Sequence, residues 1–183
     1  MKSDLKYDLL IIGGGISSCV FASKYIQKNV KEKVGLIETG RGLGGRSSTR
    51  ISKRYKGWKL NHGAPNLNIL NRENNRLLKQ FIDELSKNKL IKIDDSDFVF
   101  LGDESNSENI EQSEFSCGIN YLSLFSMSQL SKNIIESNNL KGKIDFYFET
   151  LIVDLNFNNN EWNFISKNGE EFKSKYFVCS TNL

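Results

Sequence analysis

The sequence predicts an α/β fold whose parallel sheet begins with a strand–helix–strand unit, and three observations lead to this prediction. Residues 7–12 form a short apolar run that ends at three consecutive glycines, Gly13–Gly15. Residues 16–27 then carry apolar side chains at helical spacing, and residues 34–38 form a second apolar run that ends in an acid. A buried strand, a glycine turn, a helix and a second strand make a βαβ unit with a right-handed crossover.

Further elements are expected around this unit. Apolar side chains along one side of each segment predict two amphipathic helices, over residues 72–86 and 121–136. Short apolar or alternating runs predict strands over 57–61, 91–101 and 144–148, and the polar, acidic residues 102–114 predict a surface loop. Asn-rich and Asn-Gly turns separate three more strands, which predict a β-meander over 151–157, 161–166 and 172–179.

Length and composition fit one globular domain, or one domain and part of another. The 183 residues are 38% apolar and 26% charged, and the formal net charge is +3. Because Lys and Arg are spread along the chain, we expect no nucleic-acid partner. No apolar stretch approaches the length of a membrane-spanning helix, so we expect no membrane partner. The three cysteines, Cys19, Cys117 and Cys179, are far apart and odd in number, which predicts free thiols, no metal site and a cytoplasmic protein.

The glycine turn is a variant of the G-x-G-x-x-G pattern in which Ser18 takes the third glycine position. Gly13 permits the tight turn, and Gly15 lets the backbone approach a pyrophosphate. That anion would lie at the N-terminus of the following helix, beside Ile16 and Ser17. The preceding strand, the following helix and the acid at the end of the next strand together predict a dinucleotide cofactor.

The acid at the end of the second apolar run is Glu38, 25 positions after Gly13. A carboxylate there can accept hydrogen bonds from both ribose hydroxyls of an adenosine, and the alternative is an ordinary strand-end acid in water. A glycine-rich loop with two arginines follows directly, and its N–H groups and charges suit phosphate oxygens, although a flexible surface loop is the alternative. We expect its cofactor contacts at Thr39, Arg41, Gly44, Gly45 and Arg46.

These two motifs carry a family resemblance. Glu38 followed by Gly44-Gly45-Arg46 resembles the second FAD motif of the amine-oxidase flavoprotein superfamily, and the string from Glu38 through Arg50 resembles its renalase-like branch. The resemblance implies a Rossmann-like FAD-binding domain with a β-meander crossover, and FAD as the cofactor. It also implies relatives about twice as long, so we expect this chain to be truncated before the rest of a substrate domain.

Two downstream segments extend the resemblance. Residues 61–64 resemble an Asp-His-Gly-Ala segment beside the flavin, with Asn61 in place of the aspartate. This similarity implies flavin contacts at His62, Gly63 and Ala64, and it assigns no catalytic acid or base. Residues 149–153 resemble the strand whose backbone N–H and C=O read the adenine, with Ile152 at the matching position. Residues 127–134 resemble a helix that follows a Gly-Met pair, with Ser126 in place of the glycine.

The motifs divide the chain into three expected segments. Residues 1–50 would form the βαβ dinucleotide-binding unit with its Gly-Arg loop, and residues 51–140 part of a substrate or cap region with helices. Residues 141–183 would return to the FAD-binding domain as strands and the β-meander.

Three functions remain open at this point. The first is an FAD-dependent oxidoreductase that passes hydride from a small amine or a reduced nicotinamide-type donor to flavin. The second is a nucleotide-binding fragment without turnover, and the third is an NAD(P)-binding Rossmann protein. We expect a small-molecule substrate, with a missing C-terminal half or a second copy as partner, and we expect this chain alone not to turn over substrate.

Overall fold

The computed structural model describes residues 5–70, 75–94, 118–137 and 142–181. The helices are α1 (Ile16–Lys28), α2 (Arg76–Lys87) and α3 (Met127–Glu136). The strands are β1 (Leu5–Ile12), β2 (Val34–Ile37), β3 (Thr49–Ile51), β4 (Lys59–Asn61), β5 (Leu67–Ile69), β6 (Ile91–Ile93), β7 (Ile119–Ser123), β8 (Ile144–Tyr147), β9 (Ile152–Asn158), β10 (Glu161–Ser166) and β11 (Glu171–Cys179).

A six-stranded sheet in the order β8-β2-β1-β11-β10-β9 forms the centre of the fold. Strand β1 pairs in parallel with β2 on one side and with β11 on the other, and β2 pairs in parallel with β8. Strands β9, β10 and β11 pair antiparallel, so β11 belongs to the meander and to the parallel sheet. The structure confirms an α/β Rossmann-like fold with a βαβ start and a meander.

The central sheet has an apolar cluster on each face. One cluster joins Leu9 and Ile11 of β1 to buried side chains of α1, α2 and α3. The other joins Leu10 to Phe164 and Phe172 of the meander. Strand β1 is therefore buried on both faces, which explains why its sequence is a continuous apolar run rather than an alternating one.

The predicted helix over residues 121–136 is wrong in its first part. Residues 119–123 form β7, the middle strand of a three-stranded sheet in the order β5-β7-β6. The helix begins only at Met127, because Ser126 is its N-cap and its hydroxyl accepts a hydrogen bond from the Gln129 N–H. The side chain of Tyr121 is buried in the helical cluster from its strand position.

Other boundaries agree closely with expectation or cannot be compared. Helix α2 is capped by Asn75, and the earlier residues 72–74 of the predicted helix lie outside the described chain. Strand β6 covers the start of the predicted strand 91–101, whereas residues 95–101 and the predicted loop 102–114 lie outside. The turn predictions are confirmed, since Asn159, Asn160 and Gly169 all have positive φ.

Strands β3 and β5 were not predicted. Within the described ranges, each helix is too short or too polar to cross a membrane. The three-segment division of the chain stays a prediction.

Candidate functional site

The turn after β1 requires glycine at its first position. Gly13 has φ +101°, a conformation that L side chains rarely adopt. Its N–H donates to the Ile37 carbonyl at 2.8 Å, and a Cβ on Gly13 would lie 3.2 Å from the Ser180 carbonyl oxygen. The turn is thus enclosed by the ends of β2 and β11, and it delivers the chain to the start of α1.

Gly15 is the N-cap of α1 and faces open space. No side chain caps this helix end, and its first turn contains no acid. A Cβ built on Gly15 would meet no atom of the described chain within 4 Å. The N–H groups of the first helical turn, which includes the half-buried Ile16 and the exposed Ser17, have no intrahelical acceptors. This end of α1 can therefore accept an anion.

Ser18 and Cys19 bury the opposite side of this first turn. Ser18 is fully buried, and its hydroxyl has no hydrogen-bond partner within the described chain. A serine at the third glycine position is accommodated, at the cost of one unpaired buried hydroxyl. Burial raises the pKa of the Cys19 thiol to about 12, so this thiol stays protonated at neutral pH and is not a nucleophile.

The Glu38 carboxylate joins the glycine turn to the second loop. Its Oε2 accepts the Gly14 N–H at 2.6 Å, and its Oε1 accepts the Gly40 N–H at 2.6 Å and the Thr39 hydroxyl at 3.2 Å. Glu38 is half-buried, so it is not an ordinary strand-end acid in water. An ionised carboxylate offers about four lone-pair sites, and three donors leave room for a ligand hydroxyl.

The second glycine loop packs directly on the first. The Gly44 N–H donates to the Gly14 carbonyl at 2.9 Å, and Gly44 forms an isolated parallel bridge with Gly15. Gly44 and Gly45 have φ values of +131° and +51°, and a Cβ on Gly45 would lie 3.2 Å from the Gly15 Cα. Glycine is therefore needed at positions 44 and 45, because both have positive φ and because a side chain on Gly45 would crowd the Gly15 backbone.

Two arginines of this loop are exposed. Arg41 and Arg46 both face solvent, and neither forms an ion pair with another described residue. Their guanidinium groups are therefore available to a phosphate that approaches the two loops.

The segment 62–64 lies against the same loop. The Ala64 N–H donates to the Arg46 carbonyl at 2.8 Å, and the His62 Nε2 lies 3.2 Å from the Ser48 hydroxyl. A Cβ on Gly63 would overlap the Arg46 carbonyl oxygen and lie 2.8 Å from its carbonyl carbon. A glycine is therefore needed for this contact, which joins two segments that the resemblance alone had brought together.

The strand expected to read adenine begins next to Glu38. The Thr150 N–H donates to the Glu38 carbonyl at 3.1 Å, and the Glu149 N–H donates to the Gly40 carbonyl at 3.0 Å. Ile152 follows as the first residue of β9, and its half-buried side chain packs in the meander cluster.

Sequence reasoning missed three residues that hold the two loops in place. Gly40 binds the Glu38 carboxylate, as described above, and Thr49 accepts the Ser128 N–H through its hydroxyl at 3.2 Å. A Cβ on Gly44 would lie 3.1 Å from the Ser128 Cα, so the start of α3 packs on the Gly-Arg loop. The Ser-x-x-Gln capping pattern at the start of α3 is the signal that could have located this contact.

The fold and these loops define a Rossmann-like dinucleotide-binding domain. The family model of the NAD(P)-binding Rossmann-like domain matches residues 11–85. That range includes the glycine turn, Glu38, the Gly-Arg loop and the segment 62–64. No curated protein sequence matches the chain.

Solved structures of several oxidoreductases share this fold. Wild-type putrescine oxidase bound to putrescine is 12% identical with a TM-score of 0.64, and the match covers 97% of this chain and 58% of that protein. A proposed protoporphyrinogen oxidase from Exiguobacterium sp. 255-15 is also 12% identical with a TM-score of 0.64, covering 99% of this chain and 60% of that one. A steroid monooxygenase bound to NADP is 14% identical with a TM-score of 0.52, and the match covers 96% of this chain and 26% of that enzyme. This chain thus spans less than two thirds of each of these proteins.

Proposed function

We propose that this chain binds FAD as part of an oxidoreductase of the amine-oxidase flavoprotein superfamily, in its renalase-like branch. The observation that carries the proposal is the direct hydrogen bonding of the glycine turn to Glu38 and to the Gly-Arg loop. An NAD-binding Rossmann unit holds its cofactor with the first glycine turn and the ribose acid, and it does not need a second glycine-arginine loop after that acid. Open space beyond Gly15 supports the fit, because a cofactor's pyrophosphate needs that space.

The proposed contacts follow the order of the dinucleotide. The pyrophosphate would lie at the start of α1, against Gly13, Gly15, Ile16 and Ser17, where free N–H groups favour an anion. The fully buried Ser18 would support this turn from its opposite side. The N-cap geometry supports these contacts, because Gly15 leaves that helix end without a side-chain cap.

The adenosine would bind between Glu38 and the start of β9. The remaining lone pair of the Glu38 carboxylate would accept a ribose hydroxyl, and the backbone of Ile152 would face the adenine. The hydrogen bond from Thr150 to the Glu38 carbonyl supports this, because it keeps the two elements adjacent.

The flavin half would approach the Gly-Arg loop. Thr39, Arg41, Gly44, Gly45 and Arg46 would contact the phosphates or the flavin side of the cofactor, and the segment 62–64 would lie beside the flavin. The support is the contact between that segment and the Arg46 backbone. Bound FAD would supply hydride acceptance from a small amine or a reduced nicotinamide-type donor. The residues of this chain would bind and orient the cofactor, and none of them is assigned as an acid or base.

NAD(P) is the second candidate cofactor, because the family model that matches residues 11–85 is that of an NAD(P)-binding domain. Isothermal titration of the purified chain with FAD, FMN, NAD⁺ and NADP⁺ separates the candidates. The proposal expects FAD to bind tightest and FMN, which lacks the adenosine, to bind weakly or not at all. Equal binding of FMN and FAD would contradict the adenosine site, and tighter binding of NAD⁺ or NADP⁺ would favour the second candidate.

Turnover is a separate proposal, because the chain spans only part of the oxidoreductases that it resembles. The complete enzyme would act on a small molecule in the cytoplasm, and this chain would need a further polypeptide half or a second copy of itself to form it. Anaerobic reduction of bound FAD by NAD(P)H and by a panel of amines tests this. Reduction by the chain alone at about 1 per second or faster, which is typical of working enzymes, would mean that no second component is needed.

A further inference from the structure

A two-stranded ribbon extends from the domain next to the Gly-Arg loop. It consists of β3, β4 and the residues between them, Thr49–Asn61, and is called the cationic hairpin below. Its tip is ordered by hydrogen bonds, since the Ser52 N–H donates to the Trp58 carbonyl at 2.9 Å and the Tyr55 N–H donates to the Ser52 hydroxyl at 2.9 Å. These hydrogen bonds give the backbone of the tip a defined turn.

The cationic hairpin concentrates the positive charge of the protein. Residues 49–61 contain five Lys and Arg and no Asp or Glu. The wider range 39–70 contains seven Lys and Arg and no Asp or Glu. The rest of the chain has 18 Lys and Arg and 22 Asp and Glu. None of the five hairpin cations forms an ion pair with another described residue. The net charge of +3 is therefore the sum of a strongly basic segment, residues 39–70, and a slightly acidic remainder.

Large apolar side chains are exposed between these cations. Trp58 is 72% exposed, Ile51 69% and Leu60 66%. The rings of Tyr55 and Trp58 lie 5.7 Å apart, and the Arg54 guanidinium lies 5.4 Å from the centre of the Tyr55 ring. Such an exposed apolar cluster in a cationic setting marks an interaction surface.

The apolar and cationic side chains occupy both faces of the ribbon. Cross-strand partners share a face, and the partners are Arg50 with Leu60 and Ile51 with Lys59. Each face therefore combines one aliphatic side chain with one cation. A flat protein partner would cover one face only, but a lipid headgroup layer surrounds an inserted ribbon on all sides.

We propose that the cationic hairpin inserts into the interface of an anionic lipid membrane. Trp and Tyr favour the headgroup region, where a ring can be partly apolar and partly wet, and Lys and Arg bind anionic headgroups. Ile51 and Leu60 distinguish this partner from a nucleic acid, because aliphatic side chains do not stack on bases as aromatic rings do. The proposal departs from the expectation of no membrane partner, and it does not depend on the identity of the cofactor.

Vesicle sedimentation of the full 183-residue chain tests the proposal. The probes are vesicles of phosphatidylcholine alone and vesicles that contain about one third phosphatidylserine. We expect binding to the anionic vesicles only, weakened by salt because added ions screen the attraction. Absence of binding to anionic vesicles, or equal binding to both kinds, would overturn the proposal. Binding to single-stranded RNA but not to vesicles would overturn it in favour of a nucleic-acid surface.

Two matched charge variants separate the hairpin from overall charge. One carries Lys53→Glu, Arg54→Glu and Lys56→Glu at the hairpin tip, and we expect its vesicle association to fall by roughly 100-fold. The control carries the same reversal at Lys28, Lys31 and Lys143. These exposed residues precede the parallel strands β2 and β8, whereas the hairpin follows the other end of β2. Retained binding in the control and loss in the hairpin variant support the proposal, whereas equal loss in both would refute it.

Tryptophan emission tests insertion directly, because the sequence has only two tryptophans. Trp162 packs between Phe157 and Phe177, at 4.9 and 4.8 Å between ring centres. In a Trp162→Phe background, anionic vesicles should shift Trp58 emission to the blue, and brominated lipids should quench it. Binding without either change would mean that the hairpin lies outside the membrane, which contradicts insertion.

An acidic segment of the same chain is the alternative partner for the cations of the hairpin. Residues 103–114 contain five Asp and Glu and no Lys or Arg. If the chain binds vesicles only after these acids are replaced by Asn and Gln, the intact protein does not use the hairpin as a membrane anchor and the proposal fails. Unchanged vesicle binding by that variant would support it.

Discussion

Replacement of Gly15 by valine separates cofactor binding from folding. Gly15 has φ −72° and ψ 175°, an extended conformation that valine adopts readily. A Cβ at this position meets no atom of the described chain within 4 Å. We therefore expect no steric cost, and the free energy of unfolding should fall by no more than about 1 kcal/mol, because valine is a poorer N-cap than glycine.

The main effect of Gly15→Val should be a loss of cofactor affinity. The branched side chain would occupy the space next to the α1 N-terminus, and it would keep the pyrophosphate away from the backbone N–H groups. Hydrogen bonds to a charged group contribute about 1.5–3 kcal/mol each. Loss of two such bonds weakens binding by about 3–6 kcal/mol, which is roughly 100- to 10,000-fold in Kd.

Titration calorimetry with FAD and with ADP, next to urea denaturation of the free chain, measures both quantities. The reasoning fails if Gly15→Val binds both ligands as the wild type does. It fails equally if the free energy of unfolding falls by clearly more than the capping cost of about 1 kcal/mol, because the space at Gly15 would then not be open.

Three further substitutions probe the surrounding contacts. Gly63→Ala should lower the free energy of unfolding by about 1–3 kcal/mol, because its Cβ overlaps the Arg46 carbonyl; wild-type urea stability would contradict that contact. Glu38→Ala should weaken ADP binding by about 1.5–3 kcal/mol and also lower stability, since two backbone N–H groups lose their acceptor; an unchanged ADP titration would exclude the ribose role. Ile152→Val should leave FAD affinity nearly unchanged, whereas Ile152→Pro should reduce it by removing an N–H donor, and equally small effects of both would argue against backbone recognition of adenine.

Local sequence was sufficient for the elements whose signals are local. The run before Gly13 predicted β1, because a strand buried on both faces must be apolar throughout. The turns of the meander followed from asparagine and glycine, which adopt positive φ at low cost. The helix predicted from residue 121 was wrong in its first part because the local signal there is ambiguous. The short run over residues 119–123 mixes apolar and polar side chains, and such a run fits a helix as well as a strand. Its two neighbouring strands, β5 and β6, decide that it is β7.

The sequence by itself determined the βαβ order, the glycine turn and the presence of an acid at the end of β2. Only the tertiary structure decided that the Gly14 N–H meets that acid, because Gly14 lies 24 residues before it. The same holds for β11, which pairs with β1 across most of the chain length, and for Ala64, which bonds the Arg46 backbone. Such contacts depend on the closure of long loops around a shared core, and neither residue type nor spacing along the chain specifies where those loops close.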